Sequence, residues 1–193
     1  NGKAGVTFDR HPEDMRPKPL NYRTDVFYVE SDDFGKTWKN AACEVVTLPI
    51  EKRENPALVF KYREQGLNAY IKGVRYDSAN RPLILYLLSK GYEAGPENGP
   101  RTWCIARWTG SEWKEIKTGI ESGNNYDFGV LYLNSDDDWT LLGATELGPQ
   151  AYNPGGEIAA WRTRNGGKTW KKEKELTKNS LRNHNYARQP LNY

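Results

Sequence analysis

Long apolar stretches are missing from this chain. No run approaches the roughly 18–20 residues that a bilayer-crossing helix needs, so no membrane span is expected. Histidine and cysteine are scarce, two of each in 193 residues. There is no Cys-x-x-Cys pair and no His-Glu-x-x-His, so neither a metal centre nor a cofactor is expected. A Gly-rich phosphate loop and a Gly-x-Ser-x-Gly elbow are absent as well, which removes two common enzyme readings. Charge of one sign is not in excess: 28 Lys+Arg against 25 Asp+Glu leaves +3, with no block of like charges. A dedicated nucleic-acid surface is therefore not expected.

What is present is aromatic and turn-rich. Seven Trp and twelve Tyr suit β-rich cores and sugar-binding surfaces alike. The stretch Ser31-Asp32-Asp33-Phe34-Gly35-Lys36-Thr37-Trp38 reads Ser-x-Asp-x-Gly-x-Thr-Trp, and a near copy returns at Thr163-Arg164-Asn165-Gly166-Gly167-Lys168-Thr169-Trp170. In each, the Asp33 carboxylate or Asn165 amide oxygen can accept backbone N–H groups, while Gly35 or Gly167 supplies a positive φ. Thr37 or Thr169 restarts an extended strand, and Trp38 or Trp170 offers a large apolar face. A degenerate copy, Trp108-Thr109-Gly110-Ser111-Glu112-Trp113, keeps the Gly and the Trp.

This octapeptide resembles the Asp-box, or BNR repeat, of sialidase-like β-propellers. The resemblance implies an all-β chain of four-stranded antiparallel blades, with the boxes as structural turns away from the functional face. The spacing of Gly35, Gly110 and Gly167 allows one blade of roughly 40–50 residues per step. Alternation along the chain places a remnant strand in 1–8, a Pro-broken loop over 9–23, and strands at Thr24–Glu30 and Lys36–Val46. A charged loop covers 48–66. One complete blade follows over 68–118 (strands 68–76, 82–89, 102–108 and 112–117) and a second over 124–176 (strands 126–133, 139–145, 157–163 and 169–176). Asn183–Pro190 reads as the start of another inner strand. The expected blades, about 1–47, 68–118, 124–176 and 183–193, make a single partial propeller domain spanning 1–193, with the remainder expected from a longer chain. Cys43 and Cys104 could form one disulfide or stay as two thiols; their placement in different blades favours thiols.

Propeller geometry then assigns 9–23, 49–67, 89–101, 118–126, 147–156 and 177–188 to the functional face. Asn-Tyr recurs there, in Asn124-Asn125-Tyr126-Asp127 and His184-Asn185-Tyr186-Ala187. A funnel lined by Lys72, Tyr126, His184, Tyr186 and Arg188 would be basic, aromatic and able to move a proton; Asn125 and Asn185 would add hydrogen bonds. Structural readings stand beside this one. Asn-Tyr can be a repeated cap, His184 a structural histidine, and His11 a solvated loop residue. Asp136-Asp137-Asp138 lacks the Gly and terminal Glu of a calcium loop and reads as a solvated turn.

Taken over 23–193, the boxes, Tyr126-Asp127, Gly155-Gly156-Glu157-Ile158 and Asn183–Pro190 resemble the BNR-repeat proteins of polysaccharide-degrading bacteria. That resemblance implies a secreted or periplasmic protein acting on a polysaccharide or oligosaccharide, with uronate-containing chains the first choice. In the family's lyases His and Tyr transfer protons and Arg neutralises the uronate. These roles would fall to His184, Tyr126 or Tyr186, and Arg188, with Lys72, Asn125 and Asn185 binding substrate. Arg188-Gln189-Pro190 only partly echoes the sialidases' Arg-x-Pro. A sialidase, a carbohydrate-binding propeller without catalysis, and an interaction scaffold remain the alternatives.

Overall fold

The computed structural model describes residues 2–12, 20–188 and 190. Among these, the strands form three antiparallel sheets and no α-helix is present. The central sheet, preceded by three strands of another sheet, runs in simple meander order: β4 (Asn68–Tyr76), β5 (Pro82–Ser89), β6 (Arg101–Trp108) and β7 (Trp113–Ser122). Every residue of β5 is buried, and the pleat explains why. Leu83, Leu85 and Leu87 join a core with Trp103, Ile105, Trp139 and Leu141. Ile84, Tyr86 and Leu88 point the other way, into a core with Val26, Tyr28 and Tyr62. A strand covered on both faces reads as a continuous apolar run, as Pro82–Ser89 does.

The two covering sheets supply those partners. On one side lie β8 (Gly129–Leu133), β9 (Trp139–Glu146), β10 (Glu157–Thr163) and β11 (Lys171–Glu175), again a meander. On the other lie β1 (Ala4–Arg10), β2 (Thr24–Ser31) and β3 (Leu58–Phe60). The first strand of the central sheet, β4, packs beside both β1 and β8, the first strands of its neighbours.

The two octapeptides fold as matching turns in different sheets. In the first, Ser31 Oγ donates to Asp33 Oδ1 at 2.8 Å and accepts the Gly35 N–H at 2.8 Å. The Thr37 N–H and hydroxyl both donate to the Asp33 carboxylate, at 2.9 and 2.6 Å. In the second, Thr163 Oγ1 accepts the Gly167 N–H at 3.0 Å, and Asn165 accepts the Thr169 N–H at 3.0 Å. Gly35 and Gly167 sit at φ 83° and 89°, where a Cβ would be strained. These turns share one end of the molecule with their neighbours: Ser78 bonds Asp136 at 2.7 Å, and the Gly166 N–H bonds Asp137 O at 2.9 Å. Asp136 thus ties two sheets together, whereas the Asp137 carbonyl and Asp138 brace their own, with Asp138 paired to Arg162 at 2.7 Å.

Three expectations change. Lys36–Val46 is not a strand: only Lys39 bridges Glu30 and Val45, and β3 takes the place beside β2. The first sheet therefore reaches Phe60, beyond the expected boundary at 47. The cause is Asp25, fully buried at φ 62°, which holds Arg53 through 2.7 and 3.2 Å contacts and the Arg63 N–H at 2.9 Å, folding the charged loop back onto β2. The strand expected from Tyr126 begins at Gly129, because Asn124–Asp127 closes a turn. Asn183–Pro190 contributes no strand among its described residues. His184 makes a single bridge to Gly156, and Tyr186, at φ 59°, cannot continue an extended chain. The expectations for Pro17-Lys18-Pro19, Gln189 and 191–193 lie outside the described residues. Cys43 is exposed and Cys104 buried, both as free thiols; burial pushes the Cys104 thiol up to about 12.

Candidate functional site

The site begins with an irregularity in β4. Ile71 pairs with Tyr86 and Gly73 with Leu85, so Lys72 is an extra residue without a partner, a β-bulge. In a regular strand Lys72 and Arg75, an odd number of residues apart, would point to opposite faces. The bulge shifts the phase. Arg75 now pairs with Leu83 and Val74 with Ile84, so Arg75 joins Lys72 on the face toward β8. Both line a cavity of about 260 Å³ together with Gly73, Phe128 and Arg188.

Aromatic rings hold the cations. Phe128 lies 5.6 Å from Lys72 Nζ and 5.1 Å from the Arg188 guanidinium, and its ring stacks on Tyr186 at 5.3 Å. Lys72 Nζ donates to the Asn125 carbonyl at 2.7 Å. The residue is partly exposed, yet its ammonium lies deep, and removal from water pulls it down to about 7 against the opposing pull of Asp127 and Asp9. Asp127 is itself buried and raised by desolvation. It accepts the Ser122 hydroxyl at 2.6 Å and the Asn124 N–H at 2.8 Å, and with the Gly155 N–H these bonds shape the turn that presents Asn125 and Tyr126.

Of the residues expected from sequence, most converge here. Asn185 accepts the Phe128 N–H at 2.8 Å and donates to the Tyr126 carbonyl at 3.2 Å, which latches the 183–188 segment over β8. Tyr126 sits beside the cavity without lining it. Its hydroxyl donates to Asn21 Oδ1 at 2.7 Å and its ring lies 5.9 Å from Tyr70. Arg23, paired with Asp9 at 2.9 Å, is its cationic neighbour. Asn125 reaches the Tyr92 carbonyl at 3.2 Å, and its own Oδ1 is buried without a partner.

His184 stands apart. Its Nε2 lies 3.0 Å from Ser180 Oγ, whose proton is committed to Glu157 at 2.9 Å, and the imidazole does not line the cavity. A serine donating to a carboxylate is not a nucleophile poised by histidine. Hydrogen bonds from Thr177 and Ser180 hold the Glu157 carboxyl below its ordinary range. Sequence reasoning missed Phe128, Asp127, Arg23 and Arg75. Phe128 follows directly on Asn125-Tyr126-Asp127 and could have been found there; the bulge that recruits Arg75 leaves no mark in the alternation.

The long loops gather at this end of the molecule. Tyr22 meets Tyr92 edge-on at 5.5 Å, and Arg101, fully buried, donates to the Gly123 carbonyl at 2.8 Å and the Glu93 carbonyl at 2.6 Å. The octapeptide turns lie at the other end, as the sorting of loops by face requires.

The same arrangement of sheets is known in solved structures. A polysaccharide lyase of a new family, an ulvan lyase bound to -[GlcA(1-4)Rha3S]-, superimposes with TM-score 0.68 at 18% identity, covering 92% of this chain and 40% of that one. A second ulvan lyase structure gives TM-score 0.67 at 18% identity, with 92% and 40% covered. The chain thus spans 40% of the length of these proteins, and at this identity the likeness establishes the shared fold. No curated protein matches by sequence. Residues 8–120, more than half of the chain, running from the end of β1 through β6 and most of β7, match the family described as BNR repeat-containing. By that match the chain belongs to the BNR repeat-containing family.

Proposed function

We propose that this chain is part of a β-propeller acting on an acidic, uronate-containing polysaccharide as a lyase. The observation that carries the reading is the convergence of Lys72 and Arg188 on one aromatic platform, Phe128, two residues from Tyr126. Support for the propeller comes from three meander sheets stacked face to face with β1, β4 and β8 side by side, and from Asp-box-like turns at the end opposite the long loops. The solved relatives are polysaccharide lyases, one of them holding a uronate-containing oligosaccharide. The domain reading is a single partial propeller over 1–193 whose remaining blades come from a longer chain.

Elimination from a uronate needs three things. The carboxylate must be neutralised so that the adjacent C5–H becomes acidic, a base must take that proton, and the C4–O bond must break with a proton delivered to the leaving oxygen. Arg188 can grip a carboxylate with two parallel N–H bonds, and Lys72 adds a second positive charge. Asn125 and Asn185 position the sugar, and Tyr186 offers it a ring face. Tyr126 is assigned the proton transfer, with His184 and Tyr186 as the groups tested beside it. An acidic polysaccharide is met in the periplasm or outside the cell, which is the address this reading implies; among the described residues no helix is long and apolar enough to cross a membrane.

The test is incubation of the full-length protein with uronate polysaccharides, followed by the absorbance of the unsaturated product. Arg188→Ala should lower kcat/KM by about tenfold or more, the loss of a charge-assisted pair, and Tyr126→Phe should abolish turnover with binding retained. Saturable binding without product would establish a carbohydrate-binding propeller instead, and release of sialic acid from sialosides would establish the sialidase alternative. Turnover that survives Tyr126→Phe but not His184→Ala moves the proton transfer to His184.

A further inference from the structure

The cavity between β4 and β8 carries more positive charge than a single carboxylate needs. Lys72, Arg75 and Arg188 all line it, and none of its described lining residues is Asp or Glu. Arg75 is the unexplained member. One of its terminal nitrogens donates to the Val74 carbonyl at 2.9 Å, but its Nε is buried with no hydrogen-bond partner. A buried charged side chain with an unsatisfied donor is costly unless an anion compensates it. The strand leaves room between Lys72 and Arg75: a Cβ built on Gly73 meets nothing within 4 Å. The floor is apolar, from Leu85 and Val130, so water there competes poorly for the cations.

We propose that this cavity is an oxyanion site, taking a sulfate- or phosphate-type group through Arg75, Lys72 and Arg188. A tetrahedral oxyanion presents three or four acceptor oxygens to Arg75, the Lys72 ammonium and the Arg188 fork, where a carboxylate presents two. The group arrives either as the free ion or as an ester carried on a sugar. The site stands on the cavity itself and shares Lys72 and Arg188 with the lyase reading. Its test therefore uses no polysaccharide and no turnover.

The experiment is calorimetric titration of the full chain in chloride buffer, slightly below neutral pH, with sodium sulfate, with a monosaccharide sulfate ester, and with glucuronate as the carboxylate control. Saturable binding of sulfate or of the ester, tighter than glucuronate by about tenfold, is expected from one additional charge-assisted hydrogen bond. Tighter binding of the ester assigns the anion to a glycan; equal or tighter binding of inorganic sulfate assigns a free ion. Arg75→Gln should weaken binding by about tenfold or more. Gly73→Val, whose Cβ enters the cavity with nothing within 4 Å, should abolish it while circular dichroism stays unchanged. Should Arg75→Gln fail to fold, Gly73→Val carries the test alone. Glucuronate binding with no preference for sulfate, or sulfate binding untouched by Gly73→Val, overturns the proposal and leaves the lyase reading intact.

Discussion

Replacing Lys72 by Met tests the electrostatics of the site without any ligand. In the folded chain Lys72 gives up its proton near 7, since burial penalises the ammonium, whereas in the unfolded chain it keeps the proton to about 10.4. Between those values the unfolded state binds more protons, so wild-type stability rises with pH, by about 1.4 kcal/mol per unit. Below about 7 the penalty is present in full. Lys72→Met removes this dependence. Its lost contacts, the bond to the Asn125 carbonyl and the packing over Phe128, shift the comparison by a constant. The stability of Lys72→Met relative to wild type should therefore be greatest near pH 6 and fall by about 2.7 kcal/mol by about pH 9, trimmed toward about 2 kcal/mol because the side chain is partly exposed. Asp127 and Asp9 favour the ammonium and Arg23 opposes it, while Arg75 and Arg188 line the same cavity; Asp127 is itself held lower by the Lys72 charge, so its own titration moves up in Lys72→Met. Urea unfolding of both proteins in chloride buffers at the two pH values measures it. A difference between the proteins that does not change with pH would refute the depressed pKa and, with it, the account of a desolvated cationic cavity.

Arg53→Ala should cost about 3–5 kcal/mol in urea unfolding, since it strands the fully buried Asp25 carboxylate; a loss below about 1 kcal/mol would mean that the 49–67 loop is not held by this pair. Bonds from the Thr37 hydroxyl and N–H hold Asp33 down to about 2, so its stabilising effect persists above the ordinary carboxylate range and is lost only as pH falls through about 2. A carboxyl NMR titration should show that value in wild type and a rise toward the ordinary range in Thr37→Val; an unmoved titration would dissociate the turn from Thr37. Trp139→Ala, at the junction of the central and third sheets, should destabilise by about 3–5 kcal/mol, and a much smaller loss in urea unfolding would show that the two sheets close over the gap.

The fold was legible where local chemistry is self-contained. The octapeptides could be read because Ser31, Asp33 and Thr37, or Thr163, Asn165 and Thr169, satisfy one another within a few residues and need nothing from elsewhere. The apolar run over 82–89 could be read because two cores share one strand. What failed depended on distant partners. Leu58–Phe60 is too short and too ordinary to announce a strand; it becomes one because Asp25 draws in Arg53 and Arg63 from the loop around it. Asn185-Tyr186 looks like the opening of a strand, yet the Asn185 amide is spent on the backbone around Tyr126 and Phe128, and Tyr186 turns left-handed. The recurrence of Asn-Tyr is thus real as a pair of residues in contact. It is not a repeated strand entrance.

The candidate site follows from the same distinction. Lys72 and Arg188 are far apart in sequence, and neither belongs to a regular position: one is the extra residue of a bulge, the other lies in a segment outside the sheets. Two devices bring them to one ring. The bulge turns Lys72 and Arg75 toward β8, and the Asn185 latch, with the backbone bridge between His184 and Gly156 at 2.8 and 2.9 Å, carries Arg188 across the same strand. Neither device needs the reacting groups themselves, so the scaffold can keep its geometry while the cations change. Rigid sheets thereby set the positions, and irregular backbone sets the directions in which charge points. Asp127 and Asp9 offset part of the Lys72 charge from a distance, no acid lines the cavity among its described residues, and Phe128 and Tyr186 supply ring faces to Arg188. An anionic partner of the kind proposed would replace that weak compensation with a strong one.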